Sequence, residues 1–213
     1  MLAFVPQTPI LVAYVIAVVA LTLTPGPDMT LFLGKAIGQS RSAGVAAFLG
    51  ASTGLIIHTV LVAVGLSALL AASVTAFTIL KVVGSAYLVF LAYQAIRHGS
   101  ALSVGGKGSA DPIRKVYLKG LAINLLNPKI IVFFVTFLPQ FVSPGDPHAA
   151  GKLMFLGILF VVVATPISLA LIWSAGSIAT FLKRSPKATR AVDYLFAGVM
   201  GAFAVRLILA QGK

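Results

Sequence analysis

From residue 153 to residue 182 the chain reads LMFLGILFVVVATPISLALIWSAGSIATFL, without a single charged side chain. A helix needs about 20 predominantly apolar residues to cross the ~30 Å hydrocarbon core of a bilayer. A run that is longer than this and apolar on every side constrains the fold more than any other feature here. Five further apolar runs follow the same rule, at 10–33, 44–70, 74–96, 116–139 and 191–209. Inside lipid every backbone N–H and C=O must be satisfied within the protein, so only helices or closed barrels span. Barrel strands would show as short alternating segments, which are absent. The expected fold is therefore an all-α membrane protein of six transmembrane helices. With 213 residues, 59% of them hydrophobic and 9% charged, the chain forms one transmembrane domain and leaves no room for a soluble one. Soluble domains carry about 25% charged residues.

The net charge of +12 would suggest nucleic acid in a soluble protein. Here the basic residues sit in short loops with few aromatics beside them, which argues against a nucleic-acid surface and for contact with the lipid bilayer. Loops 1–2, 3–4 and 5–6 hold Lys35, Arg41, Arg97, Lys107, Arg114, Lys115, Lys119, Lys183, Arg184, Lys187 and Arg190. The opposite side holds Lys152, Arg206 and Lys213, while Lys81 and Lys129 lie within spans. The first side is then cytoplasmic, and both termini face outward. Lys81 and Arg206, near outer helix ends, are expected to snorkel. The N-terminus lacks a basic n-region and its apolar run is long enough to span, so it reads as a retained helix. With no cysteine, the chain holds no disulfide, thiolate metal site or dithiol chemistry.

The longest loop, 97–115, contains Ser103-Val104-Gly105-Gly106-Lys107-Gly108-Ser109, a flexible linker composition. It divides the chain into repeat one at about 8–97, a cytoplasmic linker at about 98–115 and repeat two at about 116–210. Three spans per half is an odd number, so the halves sit inverted with respect to each other. Each opens with a span broken by proline, at Thr24-Pro25-Gly26-Pro27-Asp28 and at Asn127-Pro128-Lys129. Paired broken helices in inverted halves mark transporter binding sites near the midplane. The competing interpretation is two unrelated proline kinks, since proline is frequent in transmembrane helices.

The candidate site gathers around these breaks. Asp28 is the one acidic residue within a span, where a carboxylate is costly unless paired or hydrated. It either caps the helix that restarts at the break or binds a substrate ammonium or coupling proton. Lys129 lies about 15 Å and Asp28 about 10 Å from the cytoplasmic side at ~1.5 Å per residue. Those depths allow an ion pair or one shared polar cavity. Asn124 and Asn127, about one turn apart, can bond carbonyls freed by Pro128 or bond a substrate. His58, mid-span, is a proton relay or a packed histidine bonding a neighbouring helix. Gly50 and Gly54, preceded by Ala46, form a small-residue stripe for helix packing within the chain or in a homo-oligomer. A metal site is not expected, because hard cations need several oxygen ligands and one membrane carboxylate is available. No cofactor and no enzyme activity are expected, since no hydrolase or zinc-peptidase spacing occurs.

The segment Leu23-Thr24-Pro25-Gly26-Pro27-Asp28, the glycine-spaced run 44–65, Lys81-Val82-Val83-Gly84-Ser85-Ala86-Tyr87-Leu88, and Lys119-Gly120-Leu121 through Asn124 and Asn127-Pro128-Lys129 together resemble the LysE/RhtB group of amino-acid exporters. The resemblance covers nearly the whole chain and is strongest over residues 10–140. It implies export of amino acids or close derivatives from the bacterial cytoplasm across the inner membrane, driven by proton antiport, with Pro25, Gly26, Pro27, Asn127, Pro128 and Lys129 matching the motifs. The expected partners are an amino-acid substrate, protons and lipid. The rivals are a divalent-cation exporter of similar architecture, a passive channel and a membrane redox or assembly protein, the last disfavoured by the missing thiols.

Overall fold

The computed structural model describes residues 4–66, 74–98, 110–142, 146–177, 180 and 185–209, all of whose regular structure is helical. Helix α1 spans Thr8–Leu23 and α2 spans Pro27–Gly38. Helix α3 spans Arg41–Leu61 and relaxes into a π-helical turn at Val62–Leu66. Helix α4 covers Val74–His98, α5 Ile113–Leu125 and α6 Pro128–Val132. The last continues through a π-helical turn at Phe133–Phe137 and a 3-10 turn at Leu138–Phe141. Helix α7 covers Ala149–Trp173 with Pro166 inside it, and α8 covers Pro186–Leu209.

The breaks fall where proline removes a donor. Pro25 and Pro27 end α1 and restart α2 at an angle of 53°, and Pro128 does the same between α5 and α6 at 49°. Among the described residues, Arg41–Gly65 and Ala149–Trp173 are long and apolar enough to cross a membrane, and each bent pair qualifies when taken as one span. Side chains such as Ile16, Val83, Val162 and Leu195 are more than half exposed. That much apolar surface suits lipid rather than water.

Some boundaries differ from expectation. Helix α7 starts ahead of the fifth apolar run, at Ala149; after Trp173 a single turn residue, Ser174, interrupts it before residues 175–177 and 180 are helical again. Helix α5 opens at Ile113, directly after Pro112. Residues 67–70, 99–109 with Lys107, Lys183, Arg184 and Lys213 lie outside the described residues, as do the side chains of Lys81, Arg206 and Asp193.

Two apolar cores hold the bundle. One is aromatic: Tyr14, Phe133, Phe134, Phe137, Phe141 and Phe160 pack in tilted and edge-on pairs. Tyr14 Oη, fully buried, donates to the Leu156 carbonyl at 2.7 Å. The other core joins Met29, Phe32, Phe48, Val116 and Ile172.

Between the cores, α3 and α5 run side by side in the same direction with their backbones nearly touching. A Cβ at Gly50 would collide with the Tyr117 carbonyl, and one at Gly120 with the Ala47 carbonyl. The small-residue stripe therefore packs within the chain. Gly120→Val or Gly50→Val must force two backbones apart, and the cost exceeds the usual ~1–3 kcal/mol of overpacking. Both variants should lose the monodisperse peak on detergent size-exclusion chromatography. Gly34→Ala, with nothing within 4 Å of the added carbon, should keep it.

The start of α5 is clasped to the end of α2. Asp111 takes Lys35 at 2.8 Å, Lys119 at 2.9 Å and Lys115 at 3.0 Å. Gln39 brackets its backbone, donating to the Asp111 carbonyl at 2.7 Å and accepting from its N–H at 3.2 Å. Single surface ion pairs contribute little, but convergent ones contribute more. The three lysines hold the Asp111 carboxyl well below the usual carboxylate range. A depressed carboxyl stabilises the fold above its unfolded value of about 4 and loses that contribution as pH falls toward its folded value. Asp111→Asn should thus melt below wild type at pH 7, and the gap should close progressively below about pH 4 in thermal-shift measurements at low salt.

Candidate functional site

The two proline breaks face each other and are joined by hydrogen bonds. In a regular helix the N–H of residue 25 would bond the carbonyl of residue 21. Proline has no N–H, so the Leu21 carbonyl loses that donor. Lys129, from the second break, supplies a replacement: its Nζ donates to Leu21 O at 3.3 Å and to Thr24 O at 3.1 Å. The same argument applied to Pro128 takes the i→i−4 donor from the Asn124 carbonyl, which keeps the Asn127 N–H at 3.0 Å. His58 Nε2 lies 3.4 Å from that oxygen, and since a carbonyl only accepts, Nε2 is the protonated nitrogen of this contact.

The exchange runs the other way through Asp28. Its Oδ2 accepts from Asn127 Nδ2 at 2.7 Å and from Asn124 Nδ2 at 3.1 Å. Asn127 is oriented by its second bond, because its Oδ1 caps α6 by accepting from the Lys129 N–H at 3.0 Å. With the amide oxygen committed there, the NH2 must face Asp28. Asn124 is fixed by packing: a methyl at Gly54 would come within 2.5 Å of its Oδ1. Both asparagines are almost fully buried.

These contacts separate the alternatives left open by the sequence. Asp28 does lie in the first turn of α2, but the N-cap position is Gly26 and no side chain caps that helix. The carboxylate crosses to the other half instead. The asparagine amides bond Asp28 rather than freed carbonyls. Asp28 and Lys129 line one cavity and are each held by uncharged groups of the opposite break, so their depths correspond to a shared cavity and not to a direct ion pair. Gly26 leaves room for the lysine, since a Cβ there would sit 3.2 Å from Nζ. His58 is packed beside Phe134, with ring centroids 5.8 Å apart, behind Asn124 and away from the cavity lining.

The cavity, of about 60 Å³, lies between the two cores. That is room for several waters. Its charged wall comes from the breaks, through Asp28 and Lys129. Its apolar wall comes from α3, through Phe48, Ala51 and Leu55, and from α7, through Phe160, Ala164 and Ser168. Sequence reasoning missed this second wall. The α7 residues recur every four positions and so share a face, but they are embedded in a run that is apolar on all faces, where no periodicity distinguishes them.

Several polar groups that line this cavity are not fully hydrogen-bonded, Asn124 Oδ1 among them, and two of them carry charge. Asp28 Oδ1 is buried without a hydrogen-bond partner. The Lys129 ammonium has three donors, of which two reach carbonyls. A free carboxylate oxygen and a free ammonium hydrogen on one cavity suit a small molecule that carries both charges.

Comparison with known proteins identifies the family. The family model described as LysE type translocator matches residues 19–211. A homoserine/homoserine lactone efflux protein of Salmonella typhimurium is 34% identical over 86% of this chain and 88% of its own length. A membrane protein of Vibrio cholerae is 31% identical over 94% and 96%. A leucine efflux protein of Salmonella choleraesuis is 24% identical over 93% and 94%. No solved structure matches the chain. A translocator model matching nearly the whole chain, together with relatives covered almost end to end, establishes that this protein belongs to the LysE type translocators and is a transporter, not an enzyme.

Proposed function

We propose that this protein exports amino acids or close derivatives from the bacterial cytoplasm across the inner membrane, by proton antiport. The observation that carries this reading is the cavity's pair of open groups, Asp28 Oδ1 and the third Lys129 N–H, which complement the ammonium and carboxylate of a zwitterion. The relatives named for homoserine and leucine efflux support the same substrate class. The divalent-cation alternative is weaker, because the cavity meets a cation with one carboxylate and an opposing ammonium where several oxygens are needed.

The transport cycle rests on six spans in two inverted repeats, 8–97 and 116–210, joined by the linker at 98–115, with both termini outside. The two bent helix pairs, the spanning lengths of α3 and α7, and the 25 and 24 residues of α4 and α8 support that count. Substrate enters between the halves and displaces the cross-bonds at the breaks, and the halves rock about the site. Proton binding at Asp28, or at His58 behind it, favours the return.

The test is efflux from cells preloaded with threonine, homoserine, leucine, lysine or cysteine, with and without a protonophore. The expected result is uphill export of one or a few of these that collapses with the protonophore. Export that persists would exclude proton coupling, and none above empty-vector cells would exclude the substrate class. Asp28→Asn removes a charge-assisted contact, equivalent to about 1.5–3 kcal/mol, and should lower export at limiting substrate by about 10- to 100-fold. Lys129→Ala should do at least as much, since it also takes a donor from the Leu21 and Thr24 carbonyls. Wild-type export rates in both folded variants would remove these residues from the site. His58→Gln, which preserves a donor to the Asn124 carbonyl, should retain substrate affinity and reveal any coupling role through the pH dependence of efflux.

A further inference from the structure

The apolar wall of the cavity carries one polar side chain. Phe160, Ala164 and Ser168 from α7 and Phe48, Ala51 and Leu55 from α3 all line it, and of these only Ser168 has a hydrogen-bonding group. Ser168 is 3% exposed. A serine or threonine within a helix ordinarily satisfies itself by donating to the carbonyl one turn back. Thr22, Thr24, Thr53, Thr59, Thr136 and Thr165 all do this here. Among the described residues Ser168 has no such bond and no other partner. A hydroxyl in a residue this enclosed gains by finding a partner. One that also borders a cavity is available to whatever occupies it.

The polarity of the cavity fixes what would meet it. Asp28 and Lys129 take the ammonium and carboxylate of a zwitterion at the break side, which leaves the substrate side chain pointing at α3 and α7. No charged group lies on that wall, so neither a cationic nor an anionic side chain finds a partner there. We infer that Ser168 is a specificity-determining residue that hydrogen-bonds a hydroxyl on the substrate side chain, so that the transporter prefers short, neutral, hydroxyl-bearing amino acids to their hydrocarbon isosteres. The inference rests on the amino-acid export proposed above.

The experiment measures efflux of two isosteric pairs, threonine against valine and homoserine against norvaline, from cells expressing the full chain. One neutral hydrogen bond is equivalent to a rate ratio of about 3- to 10-fold. Wild type should favour the hydroxyl member of each pair by about that factor. Ser168→Ala should bring both ratios to about one, with valine and norvaline export unchanged, and Ser168→Thr should restore the preference. Ser52→Ala serves as a control, since Ser52 Oγ is also buried without a partner but does not line the cavity; it should leave the ratios as in wild type. A wild type without preference, unchanged ratios in folded Ser168→Ala, or an equal loss for both members would overturn the assignment, the last by showing a merely structural role. Export of none of the four, nor of any amino acid in the wider panel, would overturn the export reading itself.

Discussion

The structure depends on a debt created by proline. Pro25 and Pro128 each remove the donor that a carbonyl one turn back requires, within a segment that has no water to supply another. Each carbonyl keeps one local donor, Thr24 N–H on Leu21 O and Asn127 N–H on Asn124 O, and gains a second from the other half. The Leu21 and Thr24 carbonyls of the first break are met by Lys129 of the second, and the Asp28 carboxylate of the first is met by Asn124 and Asn127 of the second. The two halves thus meet through polar groups at a depth where water is scarce. The close approach of α3 and α5 at Gly50 and Gly120 makes this geometry possible, because it brings Asn124 and His58 up against the breaks.

Much of this is legible in the amino-acid order, for identifiable reasons. Long apolar runs force helices, and prolines flanked by rare charges force polar breaks, so the helical segments and the residues Asp28, Asn124, Asn127 and Lys129 stand out. The pairing does not. Two charges at similar depths suggest a salt bridge, and only the positions of the side chains reveal that each charge is held by neutral groups of the other half. Phe160, Ala164 and Ser168 were illegible for a different reason. Amphipathic periodicity arises when one face meets water, and α7 has no such face, so its cavity-lining positions carry no sequence signal.

The groups that hold the halves together are of the same kinds that a zwitterion presents. An ammonium, from Lys129, sits on two backbone carbonyls, and a carboxylate, from Asp28, sits on two amides. On the proposed function, an amino acid offers the same two charges and enters by exchange, trading one set of charge-assisted hydrogen bonds for another. Such exchanges have small net free energies even when each bond is strong. That is an advantage in a carrier, which must release its cargo as readily as it takes it up. The ends common to all amino acids then contribute little discrimination, and selectivity falls to the wall that meets the side chain. There a single hydroxyl and a few methyl and aromatic groups define what is neutral, short and able to hydrogen-bond.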